Sequence, residues 1–233
     1  MTRSGPTTIP PRPTGHNPAG APLRAPGRAE YEAAEARWLK RAAPSKADLK
    51  IVDLGQGSLV IKDFRHKPAW IRLAGRIQVR RECGAYTWLG PMAGLPRFAG
   101  RVDAHALAIE FIEGEQLAFV PERKERGAET HAELSEVVGR MHAAGLYHLD
   151  LRGRDNVLIG ADGRVYVVDL AAAIWFRPGG WAHRLFSGVF SATDRTALIK
   201  WKWILGLGPP TGDDKIFWDR HQLWRSLWPF NRK

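Results

Sequence analysis

Apolar and polar positions along this chain recur at two different spacings, and the switches between them mark its elements. Leu49–Leu54 and Ser58–Phe64 read as short β-strands, and Gly55-Gln56-Gly57 between them reads as a hairpin turn. Residues 72–89 read as a helix that contains Arg80, Arg81, Glu82 and Tyr86. Residues 106–112 (ALAIEFI) form a strand-like apolar run that Glu113-Gly114 ends. Over residues 130–143, Leu134, Val137, Val138 and Met141 fall at helical spacing. Gly145 suits the left-handed position just past a helix end. Two more strands follow, Val157–Ile159 and Val165–Val168, joined by Asp162-Gly163, and Asp-Gly between apolar runs is a strong hairpin signal. Residues 28–43 (GRAEYEAAEARWLKRA) are rich in Ala, Glu and Arg and predict a helix. No internal repeat is present.

The two ends differ from the middle. Residues 1–27 carry seven prolines among Gly, Thr and Arg, and such a segment buries too little apolar surface to offset its ordering entropy. It reads as a disordered basic tail. Residues 174–233 hold seven of the ten Trp and five of the nine Phe, with ten Lys/Arg against four Asp.

Composition bounds the partners without choosing one. A chain of 233 residues can form one large or two small domains around a sizeable core. The net charge of +11 attracts anions such as nucleotides, phospholipid headgroups or nucleic acid, and also fits an ordinary arginine-rich surface. A single cysteine, Cys83, excludes an internal disulfide framework and a cysteine zinc site, and fits a reducing, cytoplasmic location. No run approaches the roughly 20 apolar residues of a membrane span, and no apolar core of a signal peptide is visible.

The candidate chemistry lies in residues 141–159 (MHAAGLYHLDLRGRDNVLI) and in Val167-Val168-Asp169-Leu170-Ala171. The Asp162-Gly163 hairpin would bring Asn156 and Asp169 to one mouth. This string resembles the protein-kinase catalytic loop, H-x-D-L followed by Asn, and then the D-F-G metal motif. The 13-residue step from Asn156 to Asp169 matches the common kinase spacing. The resemblance implies an α+β, two-lobed protein-kinase-like fold. A small β-rich N-lobe would span 28–114, and a reduced helical C-lobe would span 115–233. It also implies ATP and Mg²⁺. Phosphoryl transfer needs an acceptor hydroxyl in line with the γ-phosphate and cations to neutralise the charge. Asp150 would orient that hydroxyl or accept its proton, Asn156 and Asp169 would offer hard oxygens to Mg²⁺, and His148 would brace the loop. Lys62, at the end of Leu59-Val60-Ile61-Lys62, resembles the strand lysine that holds the α- and β-phosphates. Glu82, twenty residues on, resembles the helix glutamate that pairs with it. Glu110-Phe111-Ile112-Glu113-Gly114 resembles the hinge whose backbone, here at Glu110 and Ile112, binds adenine. Gly55 and Gly57 would serve as the phosphate-covering loop, or form a turn alone, since they lie only five residues before Lys62. Asp194 would brace the catalytic loop or cap a helix.

Two departures stand out. The step from Asp150 to Asn156 is one residue longer than usual, which implies either a bulge at Arg152-Gly153 or Asp155 as the ligand. Ala171 replaces the D-F-G glycine. Only 64 residues follow Asp169, and the A-P-E motif on which peptide substrates depend is absent. In this the chain looks like the small lipopolysaccharide core kinases, and it shares motifs with the RIO kinases and with the small kinase of the tRNA threonylcarbamoylation complex. The expectation is therefore an ATP- and Mg²⁺-dependent phosphotransferase. It would act on a hydroxyl of a lipid-linked sugar such as a lipopolysaccharide core, in the cytoplasm, peripheral on the inner face of the membrane. Trp interleaved with Lys and Arg in residues 195–206 and 215–233 suits an anionic membrane surface, and equally suits packing of a reduced C-lobe. A serine/threonine protein kinase with the same residues and a protein acceptor is the alternative, opposed by the missing A-P-E. A non-catalytic pseudokinase or a basic module on membrane or RNA is the third reading, opposed by the retention of Lys62, Asp150 and Asp169. Nucleic acid is not expected as a partner.

Overall fold

In the computed structural model, which describes residues 23–40, 45–55, 57–120 and 125–226, the strand-forming runs of the first half make one sheet. Its strands are β1 (Ala36–Lys40), β2 (Asp48–Asp53), β3 (Ser58–Asp63), β4 (Phe98–Arg101) and β5 (Ala106–Glu110). Their order is β1-β2-β3-β5-β4, and every neighbour is antiparallel. Side chains alternate across a strand, so β3 sends Leu59 and Ile61 to one face and Val60 and Lys62 to the other. Helix α1 (Arg28–Ala33) covers the first face, where Tyr31 is buried with Leu59, Ile61, Ala106 and Ala108. The second face carries α2 (Ala69–Leu89). Its buried positions Ile71, Gly75, Val79, Glu82 and Tyr86 recur every three or four residues and form one stripe. A Cβ at Gly75 would lie 2.4 Å from Cγ of the Phe64 ring, so glycine sets how closely the helix approaches.

The second half is helix-rich. Helix α3 (Gly127–Ala143) buries Leu134, Val137, Val138 and Met141, and the chain turns out of it through Gly145 at φ 78°. Strand β6 (Gly114–Gln116) joins the hairpin of β8 (Val157–Gly160) and β9 (Val165–Val167) in a three-stranded antiparallel sheet. Strands β7 (Leu146–Tyr147) and β10 (Ile174–Trp175) form a separate pair. Helices α4 (Trp181–Ile204) and α5 (Gly212–Ser226) follow. One apolar core joins Val60, Leu107 and Ile109 of the large sheet to Leu134 and Met141 of α3, Val157, Val167 and Trp201. The protein is thus a mixed α+β fold with antiparallel sheets. Among the described residues no helix is long and apolar enough to cross a membrane.

Two expectations need correction. The helix predicted over 28–43 ends at Ala33, and Ala36–Lys40 is a strand, while residues 41–44 lie outside the described residues. Backbone pairing of Ala36, Arg37 and Trp38 with Val52, Ile51 and Lys50 outweighs the helix propensity of the segment. Of the tail predicted to be disordered, residues 1–22 lie outside the described residues. Residues 23–27 pack: Ala25 N–H donates to Ala99 O, Leu23 and Ala25 join the core under α1, and Arg24 pairs with Glu30.

Candidate active site

Lys62 lies on the α2 face of the large sheet, and Glu82 is one of α2's inward positions, so strand alternation and helical period together bring them into contact. Lys62 Nζ is 2.6 Å from Glu82 Oε1 and 3.0 Å from Asp169 Oδ1. The Lys62 side chain is 12% exposed and the Glu82 side chain 3%. Taking such charges out of water costs several kcal/mol per ion unless they are paired and hydrogen-bonded. Burial works to lower the Lys62 ammonium, but the Glu82 and Asp169 carboxylates more than offset it and hold it above its ordinary value. Burial pushes the Glu82 carboxyl up, against the pull of Lys62 and of the Leu170 backbone N–H. The Lys62 ammonium, with smaller help from hydrogen bonds, holds Asp169 below the usual carboxylate range.

Asp169 follows β9 in a left-handed conformation, φ 67°, and caps a short 3-10 turn over Leu170–Ala172 by accepting from Ala171 N–H at 3.4 Å. That turn packs on α2, and Arg81 of α2 donates to Ala173 O at 3.0 Å. The segment bearing Asp169 and the helix bearing Glu82 are therefore held together on both sides of Lys62.

The loop bearing Asp150 is held from beneath by α4. Asp194, 1% exposed, accepts from His148 N–H at 2.8 Å and from Leu149 N–H at 2.9 Å, and its Oδ2 lies 2.9 Å from His142 Nε2. Asp194 lies inside α4, so of its two expected roles the brace is the one observed and the helix cap is not. Trp201 Nε1 donates to Leu151 O at 2.9 Å and Lys200 Nζ to Arg152 O at 2.6 Å. Leu149 sits at φ 66°, a costly conformation for a leucine. Its own N–H and that of His148 are both tied to Asp194, which holds it there. Among the described residues the non-glycine positions at positive φ are Leu149 and Asp169, each next to a residue of the predicted site or part of it.

His148 is fully buried. Its Nδ1 accepts from Asp150 N–H at 3.3 Å, which fixes the tautomer and leaves Nε2–H to donate to Val168 O at 3.1 Å. It positions the loop against the strand that leads to Asp169 and cannot touch a substrate. Asp150 itself is exposed. Asn156, 4% exposed, donates from Nδ2 to Asp150 O at 2.7 Å and to Asp150 Oδ2 at 3.2 Å. The six-residue step from Asp150 to Asn156 is spanned by two successive turns, Gly153 N–H to Asp150 O and Asn156 N–H to Gly153 O. A Cβ at Gly153 would come within 2.8 Å of Asn156 Nδ2, so glycine is what lets the turn close on Asn156. Asp155, by contrast, is half exposed, with Lys40 Nζ 3.8 Å away.

A cleft of about 150 Å³ runs between the large sheet and the β8–β9 hairpin. Leu39, Leu49 and Val60 line it on the sheet side, Leu158 lines it on the hairpin side, and Lys62, Asn156 and Asp169 stand along it. Glu110, Phe111 and Ile112, which connect the two sheets, also line it. The Glu110 carboxylate is committed to Arg97, accepting from its backbone N–H at 3.1 Å and its guanidinium at 3.0 Å, and the Glu110 and Phe111 N–H groups donate to Arg97 O at 2.8 Å and Ser58 O at 2.9 Å. Gly55 and Gly57 are not in this cleft. They form the turn between β2 and β3, at φ 76° and 110°, with Gln56 outside the described residues. Five residues of strand put Gly57 about 17 Å from Lys62, at the opposite end of β3, which excludes a phosphate-covering role beside that lysine. The end of β1 does line the cleft, at Leu39 and Lys40.

The oxygens present fit Mg²⁺. Among the described residues no three His, Cys, Asp or Glu gather into a metal cage. Magnesium bound with a nucleotide needs only one or two protein oxygens, since phosphates and water fill the rest. Asp169 Oδ2 and Asn156 Oδ1 face no hydrogen-bond donor among the described residues, and these are the groups that would hold it. Sequence reasoning missed Lys200 and Trp201 as loop supports. Trp201's signal was its spacing from Asp194, seven residues on, which returns it to the same face of a helix, whereas Lys200, six on, lies about 120° round and carried no such signal. No protein-family model matches the chain, and no curated protein matches it.

Proposed function

We propose that this protein has a two-lobed kinase-like architecture and transfers the γ-phosphoryl group of ATP, with Mg²⁺, to an alcohol. The observation that carries the reading is the Lys62–Glu82–Asp169 arrangement at a cleft that also holds Asn156 beside Asp150. The apolar walls suit a planar base, and the Ile112 backbone would serve its polar edge, since the N–H groups of Glu110 and Phe111 are already bonded. The triphosphate would then run toward Lys62, whose fixed charge lies ready for it without reorganisation. Asp169 and Asn156 would hold Mg²⁺, which would supply charge neutralisation at the phosphates. Asp150 orients the acceptor hydroxyl and takes its proton as the new P–O bond forms and ADP leaves. His148, Asp194, Lys200 and Trp201 position that loop.

The acceptor class we propose is a sugar hydroxyl on a lipid-linked glycan. Exposed Trp181 and Trp203 on α4 support a protein that works beside an apolar surface. The test has two stages. Wild type should be thermally stabilised by ATP with Mg²⁺ and not by ATP with EDTA, and Asp169→Ala should lose that shift. Labelled phosphate from ATP should then appear on a glycolipid fraction and not on protein, and Asp150→Ala should abolish it. Absence of any Mg²⁺-dependent shift in the wild type would end the reading, and labelling of protein alone would replace the acceptor.

A further inference from the structure

Helix α2 has a second face that the cleft does not use. Trp70, Leu73 and Ile77 are 71%, 63% and 59% exposed, although a helix packed on one side normally keeps polar residues on the other. At 3.6 residues per turn the three fall within an arc of about 60°. Arg72, Arg76 and Arg80, also exposed, step along one flank of that row at four-residue intervals. None of these arginines makes an ion pair with a described residue. The stretch between Asp63 and Glu82 contains six Lys or Arg and no acidic residue. The face opposite the row holds Val79, Glu82 and Tyr86, so whatever covers the outer face leaves the Lys62–Glu82 pair in place.

We propose that the outer face of α2 docks this protein on an anionic lipid bilayer, with Trp70, Leu73 and Ile77 in the headgroup–acyl boundary and Arg72, Arg76 and Arg80 on lipid phosphates. The bilayer interface offers an apolar sink edged by anions in one plane, which is what the row and its flank require. Nucleic acid supplies the anions but nowhere for Leu73 and Ile77 to go. A two-fold dimer through this face would set a row of arginines beside its own copy, since the same patch meets itself. Helix α4 repeats the chemistry: Trp181, Leu185 and Val189 are 78%, 64% and 63% exposed at four-residue spacing, and no acid occurs between Asp169 and Asp194. The inference is independent of the phosphotransfer reading, because it rests on exposed helix faces and not on the cleft.

The test is co-sedimentation of the full chain with sucrose-loaded vesicles. One set is phosphatidylcholine alone, and in the other phosphatidylglycerol replaces a third of it. Wild type pellets with the anionic vesicles, less so as salt rises, and weakly with the neutral ones. Trp70→Ser/Leu73→Ser/Ile77→Ser and Arg72→Gln/Arg76→Gln/Arg80→Gln each bind the anionic vesicles at least about tenfold more weakly. All six side chains are exposed, so both variants keep the wild-type melting profile and the wild-type response to ATP and Mg²⁺. The proposal is overturned if wild type ignores anionic vesicles, or if both variants pellet as wild type does. A variant that changes only the oligomeric mass would assign the face to a second copy instead.

Discussion

Replacing Asp194 with asparagine removes one charge and almost no volume, and so isolates the brace beneath the Asp150 loop. The carboxylate accepts two backbone N–H groups, from His148 and Leu149, at a site that is 1% exposed. An amide has one accepting oxygen. Whichever way the substituted side chain turns, its NH₂ faces one of those N–H groups, donor against donor. A buried donor left without a partner costs about 1–3 kcal/mol. The surviving hydrogen bond also weakens, since bonds to a charged acceptor are roughly twice as strong as neutral ones. The sum is about 2–4 kcal/mol, or roughly 5–15 °C in melting temperature for a chain of this length. Urea titration at pH 7 measures the first quantity and a thermal melt the second. Leu149, held at positive φ by the same contacts, would relax, and Asp150 would shift with it. On the proposed function Asp194→Asn should therefore keep its thermal shift with ATP and Mg²⁺, which would depend on Lys62 and Asp169, and lose turnover. A stability loss below about 0.5 kcal/mol, the range of an ordinary surface change, would refute the brace.

Lys62→Met leaves Glu82 buried without its cation, at a cost of about 3 kcal/mol at neutral pH. Glu82 escapes part of that cost by taking a proton, so urea titrations should show the loss growing from pH 5 to pH 8, and Lys62→Met/Glu82→Gln should recover most of it. Asp169 lies below its ordinary value of 3.8 because of Lys62. A depressed acid stabilises the fold above its unfolded pKa and stops doing so as pH falls through its folded one. Asp169→Asn should flatten the stability curve below about pH 4, read by circular dichroism melts across pH, while wild type keeps its acid limb. Gly55→Ala meets no atom within 4 Å, so its cost is the left-handed backbone alone, about 1–2 kcal/mol. Its thermal shift with ATP and Mg²⁺ should equal that of wild type, whereas a weakened shift would return this turn to the nucleotide site.

Much of the site was legible because its chemistry sits on elements whose pattern is local. The hairpin from Val157 to Val167 closes on Asp162-Gly163, with Gly163 at φ 80°, and its two ends carry Asn156 and Asp169. Helix α3 is fixed by Leu134, Val137, Val138 and Met141, and the loop beyond it starts where Gly145 turns the chain. Strand β1 was not legible, because its pairing partners lie beyond a connection and nothing within Ala36–Lys40 excludes a helix. Missing it moved every later strand one place in the sheet. The turn at Gly55–Gly57 therefore looked like the first hairpin of the sheet when it is the second. The short strands β6, β7 and β10 are two or three residues each and carry no period at all.

The roles of α4 show a different limit. Trp201 and Lys200 read as a basic aromatic segment, yet Trp201 is fully buried with its indole N–H on Leu151 O, and Lys200 reaches the Arg152 carbonyl. Composition could not separate these from Trp181 and Trp203 on the same helix, which face outward. What separates them is register against one loop. Asp194, Lys200 and Trp201 bind His148, Leu149, Leu151 and Arg152 through backbone atoms of the loop, so the loop's own side chains leave no trace of the contact. A loop held by its backbone is free to vary in sequence and in length. In this one, Asn156 lies six residues beyond Asp150 and still reaches it, with Gly153 closing the turn between them.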